Sequence, residues 1–232
     1  MRRKISISVR NVRLFALLFC IAVTLASCDS HEAADRGIHV GYVLCSDHSC
    51  MSLSDFQSLG GKKAVGVVFA EKTDEHPALA VGLDEYNDCF CDSVGMDNGT
   101  SGSVTAFDGF TNTVSMYNCQ GMRDNGVPFG CPIANNTYEA GYFGQSMYIP
   151  SVAEMRLLCV SSNVVNNVLR SLGGVPLTID ESCWYWTSTE VSGNTANQAW
   201  LCSAPNGGIQ ETPKTESHRA RSILQLNYPE EP

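Results

Sequence analysis

The sequence predicts an α+β fold in which strands, then helices, then strands follow one another along the chain. Two observations lead to this prediction. β-rich apolar runs stand towards both ends of the chain, and a helix with a clear start signal stands between them. With 44% hydrophobic and 17% charged residues, the 232-residue chain can bury a core of its own. We expect one domain with mixed or antiparallel sheets and two helices.

The N-terminus has the features of an export signal. All five leader basic residues precede Leu14, and Leu14–Ala26 is apolar except for Thr24. Such a run is typical of a secretory signal and too short for a transmembrane helix. Leu25–Cys28 (LASC) resembles the lipobox of bacterial lipoproteins, which implies cleavage and diacylation at the cysteine; an ordinary signal with a chance cysteine is the alternative. We therefore expect a signal peptide at 1–27, lipidated Cys28 with a tether at 28–37, and a domain at 38–232.

Removing the leader makes the chain more acidic. The leader holds five of the 15 basic residues and none of the 24 acids, so the net charge changes from −9 to −14. A nucleic-acid partner is excluded because it would require a basic face. The expected partners are the membrane, through the acyl chains, and a protein or glycan ligand. We expect a location in the bacterial cell envelope, at the outer membrane or cell surface rather than the inner membrane.

Export changes the expected chemistry of the cysteines, because disulfides can form outside the cytoplasm. The mature chain after Cys28 keeps nine cysteines, so at most four disulfides form and at least one thiol stays free. Neither Cys45–Cys50 nor Cys89–Cys91 has the C-x-x-C spacing of a structural zinc site. We predict disulfides or buried free thiols, no metal and no cofactor. The nine are Cys45, Cys50, Cys89, Cys91, Cys119, Cys131, Cys159, Cys183 and Cys202.

The individual elements follow from local patterns. Three N-terminal strands are predicted, the second buried on both faces, with a hairpin loop at 71–77 and a long loop at 87–109. Ser151 and Glu154 form a capping box that starts one helix, and Gly173 ends a second helical stretch. A further helix is indicated weakly near 117–122 or 135–140. The predicted strands are 38–44, 64–70, 78–83, 184–189, 199–203, 208–212 and 220–226, and the clear helical stretches are 152–159 and 164–172.

Five short motifs, in order, resemble those of bacterial C-type lectin-like domains. They look like DG-x-x-NT, W-x-LPS-x-x-EL, YWSSTE, AW and R-x-R of that family, and Gly66–Glu85 resembles its first hairpin. The family also includes the formylglycine-generating, sulfatase-modifying fold and the receptor-binding proteins of diversity-generating retroelements. The resemblance implies a C-type lectin-like fold. In this chain the motifs are Asp108–Thr113, Tyr148–Met155, Trp184–Glu190, Ala199–Trp200 and Arg219–Arg221.

Most motif residues are expected to support the fold. Trp184 and Trp186 alternate with Tyr185, so one face of this strand is expected in the core and the other exposed. Arg219 and Arg221 share a face and are expected to pair with Glu190 or Glu154. The predicted structural residues are Pro150, Glu154, Trp184, Trp186, Arg219 and Arg221.

The resemblance places the ligand surface on the last strands and their loops. Segments 191–199 and 204–217 are rich in Asn, Ser, Thr and Gly, which offer adaptable hydrogen bonds, although ordinary polar loops would look the same. Calcium-dependent sugar binding is disfavoured, because calcium takes about 6–8 oxygen ligands and these loops hold few acids. The candidate ligand-binding residues are Ser188, Glu190, Asn194, Asn197, Trp200, Asn206, Gln210 and Lys214.

These features predict a surface lipoprotein that binds a protein or glycan without calcium, as an adhesin or receptor-like module. Two alternatives stay open: an accessory or tip subunit of a surface filament, and an enzyme of the sulfatase-modifying type. Catalysis is disfavoured because no nucleophile-elbow, zinc-protease or phosphate-loop motif is present. Burial or dispersal of the candidate residues would argue against a single binding face.

Overall fold

The computed structural model describes residues 37–138 and 146–226. The predicted signal peptide, lipidated Cys28 and nearly all of the tether lie outside the described residues. The described residues from Ile38 onward form one compact unit. No helix within the described ranges has the length and apolar character needed to cross a bilayer.

The architecture is α+β, with a large, mostly antiparallel sheet and four helices among the described residues. Its strands are β1 (Val43–Cys45), β2 (Cys50–Met51), β3 (Ala64–Ala70), β4 (Ala78–Cys89), β5 (Gly121–Met122), β6 (Pro128–Phe129), β7 (Trp184–Glu190), β8 (Gln198–Ser203), β9 (Ile209–Pro213) and β10 (Ser217–Leu226). Its helices are α1 (Leu53–Leu59), α2 (Gly109–Asn118), α3 (Pro132–Tyr138) and α4 (Val152–Leu172).

Eight strands form the main sheet, in the order β2-β1-β3-β4-β10-β7-β8-β9. Every neighbouring pair is antiparallel except β10 and β7, which run parallel where Arg219 lies opposite Tyr185. The strand pair β5–β6 forms a separate small ribbon. The C-terminal strand β10 therefore joins the N-terminal hairpin β3–β4 to the β7–β8–β9 strands.

The helix α4 covers one face of the sheet. Ser151 Oγ accepts the Glu154 N–H and Glu154 accepts the Ser151 N–H, so the predicted capping box is confirmed. The helix runs for 21 residues to Gly173, whose φ of 75° suits the left-handed stop that glycine allows. The two predicted stretches are thus one helix, because residues 160–163 are compatible with helix and no breaker separates them. We call the cluster that contains Phe69, Leu158, Tyr185 and Ile223 the helix-side core.

The opposite face is covered by α2 and α3 together with the irregular segment 90–108. We call this cluster the loop-side core; it contains Phe90, Met116, Ile133 and Trp186. Tyr185 and Trp186 are both fully buried because successive side chains of β7 point to opposite faces that are both covered. The prediction that one face of this strand is exposed is therefore wrong.

Several sequence predictions need correction at their edges. The first strand is only Val43–Cys45, not 38–44, and β4 extends to Cys89, into the predicted loop. The prediction of two helices is wrong, since α1 was not predicted and both weakly indicated stretches hold part of a helix: α2 reaches 117–118 and α3 covers 135–138. These helices are short, and the helix α1 buries no residue completely, so the apolar periodicity that marks a long helix is absent. The buried strand β3 and its hairpin loop at 71–77 are confirmed.

Candidate functional site

A buried polar network lies where β7 ends and the chain turns from β9 to β10. Glu190 ends β7, Lys214 follows β9, and both side chains have no exposed surface. The Lys214 ammonium donates to Glu190 Oε1, to Asn98 Oδ1 at 2.6 Å and to the Met96 carbonyl at 3.1 Å. We call Asn98, Thr100, Glu190 and Lys214 the Glu190–Lys214 network.

The Glu190 carboxylate also supports an irregular segment of backbone. Its Oε1 accepts the Asn98 N–H at 2.9 Å, and its Oε2 accepts the Thr100 N–H at 3.0 Å and hydroxyl at 2.9 Å. Segment 97–108 has no strand or helix to satisfy these groups, so a side chain does it instead. Asn98 and Thr100 were missed in the sequence, where they look like any polar loop residues.

The loop at 191–197 is also attached to its surroundings. The Ala196 carbonyl accepts N–H groups from Gly95 and Met96 at 2.8 and 3.2 Å, and the Asn197 carbonyl accepts the Lys214 N–H at 3.0 Å. The Cys91 N–H in turn donates to the Lys214 carbonyl at 3.1 Å. The segments 91–98, 191–197 and residue 214 are therefore connected by backbone as well as by side chains.

Three of the predicted ligand-binding residues are interior. Ser188, Glu190 and Lys214 are each 0% exposed, so the prediction that they form an exposed binding face is wrong. Two of them are charged, and a charged pair is buried only when it is well paired and hydrogen-bonded. Sequence alone could not show that these two charges meet, because 24 residues separate them.

The other five candidates do not gather on one face. Trp200 lies opposite Glu211, whereas Gln210 lies opposite Leu201, so Trp200 and Gln210 point to opposite faces of the sheet. Asn194 and Asn197 lie in the β7–β8 turn, while Asn206 lies in the β8–β9 turn at the other end of β8. Asn197, Asn206 and Gln210 are exposed; Asn194 and Trp200 are half-buried.

A second polar cluster surrounds Glu154. Its carboxylate accepts the Ser151 N–H at 2.7 Å and the Tyr148 hydroxyl at 3.1 Å, and burial raises the pKa of Glu154 to about 7. A Cβ on Gly109 would lie 2.2 Å from Glu154 Oε2, which explains the glycine in the DG-x-x-NT motif. Thr113 of the same motif accepts the Ile149 N–H at 2.9 Å. Two motifs that are distant in sequence therefore meet here.

Trp184, Trp186 and Pro150 also belong to this architecture. Trp186 packs with Phe90 at a ring-centroid separation of 5.6 Å, and Trp184 is half-buried against the same loop-side core. The buried Pro150 carbonyl accepts the Ser188 N–H at 2.8 Å, which joins the start of α4 to β7.

The two arginines near the C-terminus pair with Glu85, not with Glu190 or Glu154 as predicted. Arg219 donates to Glu85 Oε1 at 2.6 Å, and Arg221 lies 3.8 Å from Oε2 of the same carboxylate. The strand β10 pairs with β4, with Arg221 opposite Glu85, which places the three side chains on one face. Arg221 is completely buried and also donates to the Val175 and Gly82 carbonyls.

Four of the nine described cysteines form two close pairs, Cys91 with Cys131 and Cys159 with Cys202. The Cys91 thiol donates to the Gly130 carbonyl at 3.1 Å, and Asn98 Nδ2 lies 3.3 Å from Cys131 Sγ and 3.7 Å from Cys91 Sγ. The hydrogen bond from Cys131 is the largest cause that lowers the pKa of Cys91 to about 6.

The second thiol pair joins α4 to β8. Cys159 Sγ lies 3.5 Å from the Ser203 carbonyl, and a hydrogen bond between the Cys159 and Cys202 thiols lowers the pKa of Cys202 and raises that of Cys159. Both pairs are within buried clusters.

Two surface cavities bear on the enzyme alternative. One, of about 430 Å³, lies over the middle of the sheet beside Lys63, Asp84, Tyr86 and Ser222, and no cysteine lines it. The other, of about 400 Å³, contains Cys183, His218 and Arg219, and burial raises the pKa of that thiol. Neither cavity contains two cysteines. Among the described residues no group of three or more His, Cys, Asp or Glu is arranged to hold a metal ion.

Comparison with known proteins gives one structural likeness. The chain is similar to a fimbrial protein from Bacteroides ovatus ATCC 8483, with a TM-score of 0.61 and 17% identity. The match covers 81% of this chain and 49% of that chain, so this chain spans about half the length of the fimbrial protein. No protein-family profile matches the sequence. No curated protein matches it either.

Proposed function

We propose that this chain is a lipid-anchored protein of the bacterial cell envelope and that its domain is a structural module of a surface filament. The observation that carries the proposal is the likeness of the fold, over 81% of the chain, to part of a fimbrial protein. The burial of Ser188, Glu190 and Lys214 supports it, because residues expected to contact a ligand are interior, and two of them, Glu190 and Lys214, bond segment 96–100 instead. In this proposal the leader directs export and the lipidated Cys28 anchors the protein in the envelope.

The C-type lectin-like fold is part of the same proposal. Its support is the way in which the motifs contact each other: Gly109 and Glu154 touch, and the Pro150 carbonyl accepts the Ser188 N–H. Motifs that meet in the interior of one domain are what a shared architecture requires.

The open edge of the sheet is suited to assembly. The strand β9 ends the strand order, and among the described residues no strand pairs with its outer side. An unpaired edge offers backbone N–H and C=O groups to another strand. In the proposed filament this edge would contact a neighbouring subunit.

The proposal is tested on whole cells of the bacterium that encodes the chain. Filaments sheared from the surface are expected to contain the protein, and immunogold labelling is expected along or at the end of them. Labelling with a fatty-acid analogue is expected for the wild type and for Cys20→Ala, a matched control within the leader, but not for Cys28→Ala. A protein that stays inside the cell envelope and resists added protease contradicts the filament role.

A ligand-binding role is the second candidate, and Trp200 favours it. The ring is half-buried on the face of β8 and β9 that also carries Glu211, and its Nε1 is buried without a hydrogen-bond partner among the described residues. Tryptophan with a partly exposed ring is common in recognition surfaces. Gln210, on the opposite face, is the natural control.

The second candidate is tested with a glycan array and a protein-ligand screen using the full-length chain in detergent. If Trp200 forms the contact, Trp200→Ala loses at least tenfold in affinity for any ligand found, whereas Gln210→Ala keeps it. Equal binding by the wild type and Trp200→Ala rejects a site at this face.

A further inference from the structure

The Glu190–Lys214 network brings together an amine, a primary amide and a carboxyl group away from solvent. Lys214 and Glu190 are 0% exposed and Asn98 is 3% exposed. The Lys214 Nζ lies 2.6 Å from Asn98 Oδ1 and contacts Glu190 Oε1. It also lies 5.5 Å from the centre of the Phe90 ring, so part of its surroundings is apolar.

The contact with Asn98 places the amine close to a carbonyl carbon. A C=O bond is about 1.23 Å long, so Cγ of Asn98 lies within about 3.8 Å of the Lys214 Nζ. Groups held at such a distance react as if at very high concentration, because the entropy of bringing them together has been lost on folding. An ammonium bonded to Oδ1 also polarises this carbonyl.

We propose that Lys214 and Asn98 form an intramolecular isopeptide bond, with Glu190 as the proton carrier. A proton passes from the Lys214 ammonium to Glu190, and the free amine attacks Cγ of Asn98. In the tetrahedral intermediate the amide nitrogen of Asn98 takes up a proton through Glu190, the Cγ–Nδ2 bond breaks and ammonia leaves. One C–N bond forms and one breaks, the departing ammonia carries away the remaining proton as ammonium, and no oxidant or metal is required.

The contacts of the neighbouring groups suit this reaction. Among the described residues, the nitrogen that leaves, Nδ2 of Asn98, donates to two cysteine sulfurs, Cys131 at 3.3 Å and Cys91 at 3.7 Å, and sulfur is a weaker acceptor than oxygen. Glu190 keeps three donors after the reaction, the Asn98 N–H and the N–H and hydroxyl of Thr100. The product also removes a buried ammonium, whose desolvation is costly.

The bond would tie the irregular segment 90–108 to the turn between β9 and β10. This inference goes beyond the filament role and does not rest on it, because the reaction needs only the folded domain. A covalent link at this position would prevent segment 90–108 from separating from the β9–β10 turn when the domain is pulled or exposed to protease.

Mass spectrometry tests the inference directly. The full-length protein is purified in detergent, reduced, and digested. The expected product is a peptide pair joined between Asn98 and Lys214 with a mass about 17 Da below the sum of the two peptides, the mass of ammonia. Lys214→Arg, which keeps the cation but not the primary amine, is expected to lose the joined pair; Lys63→Arg, an exposed control, is expected to retain it.

Two further variants separate chemistry from folding. Asn98→Asp is expected to join with loss of water in place of ammonia, and Glu190→Gln is expected to reduce joining at least tenfold while hydrogen exchange in α4 stays native. Wild-type peptides of unmodified mass, from protein that hydrogen exchange shows to be folded, overturn the proposal. A mass loss that persists in Lys214→Arg overturns it as well.

Discussion

The helix-side core and the loop-side core cover opposite faces of one sheet but are built from different contacts. On the helix side, one 21-residue helix satisfies its own backbone and contributes apolar side chains such as Leu158 and Met155. On the loop side, segment 90–108 is irregular, and Glu190 accepts two of its backbone N–H groups. Buried polar side chains therefore replace secondary structure where the chain has none, since every buried N–H requires a partner.

Both regions hold a thiol pair, and oxidation of these pairs has the largest expected effect. In the exported protein, a disulfide oxidant such as oxidised glutathione accepts the two electrons and two protons that each bridge releases. We expect Cys91–Cys131 on the loop side and Cys159–Cys202 on the helix side, each stabilising the fold by about 2–4 kcal/mol, or about 4–8 kcal/mol for the two together. Non-reducing digestion and peptide mapping check the pairing; full alkylation of all nine thiols without reductant contradicts it.

The next largest expected loss of stability comes from disrupting the Glu190–Lys214 network on the loop side. Glu190→Ala leaves the Lys214 ammonium buried without its carboxylate, and we expect the free energy of unfolding to fall by about 3–5 kcal/mol. Urea unfolding of the full-length protein measures this change. Glu211→Ala, which removes an exposed acid on β9, is the control, with an expected change below about 0.5 kcal/mol. A loss for Glu190→Ala as small as that for Glu211→Ala would mean that Glu190 behaves as a surface charge.

The helix-side core is destabilised by removing a buried apolar side chain. Leu158 has no exposed surface, so Leu158→Ala is expected to lower the free energy of unfolding by about 2–5 kcal/mol. Val160, on the same helix, is 85% exposed, and Val160→Ala is expected to change stability by less than about 0.5 kcal/mol. The same urea experiment compares them. A neutral Leu158→Ala contradicts the assignment of this core.

The smallest of these effects depends on pH and concerns Glu154. Burial raises its pKa from 4.5 to about 7, so the folded state binds this proton more tightly than the unfolded state does. The contribution to stability is fully present below pH 4.5 and is lost as the pH rises through 7, about 3 kcal/mol in all at 1.4 kcal/mol per pKa unit. Unfolding at pH 5 and pH 8 is compared for the wild type and Glu154→Gln, whose profile should be flatter. If stability changed equally between pH 5 and pH 8 in the wild type and in Glu154→Gln, Glu154 would not be the cause of the pH dependence.

The same contrast explains how much could be predicted from the sequence. The strand β3 and the start and end of α4 were predicted correctly, because apolar runs, the Ser151 capping box and Gly173 are local signals. The α+β class followed from the order of such signals. The short helix α1 was not predicted and the bounds of α2 and α3 were misplaced, because the stability of these helices comes from packing and not from a long apolar stripe.

The candidate site was predicted less well, for a physical reason. Asn, Ser and Thr in the C-terminal segments indicated a binding surface, and the same residue types serve equally as buried hydrogen-bond partners. Glu190 and Lys214 have their partners at Asn98 and Thr100, about 90 and 116 residues away in the chain. Glu85, the partner of Arg219, lies 134 residues away from it. No local pattern marks such pairs.

Hydrogen exchange on Glu190→Ala tests most directly whether the buried network holds the loop side. The network predicts that amides at 95–100 and 191–197 lose protection in this variant while amides of α4 keep theirs. Equal loss of protection in α4, or unchanged protection at 95–100, would contradict the claim that the Glu190–Lys214 network, and not general packing, holds this region.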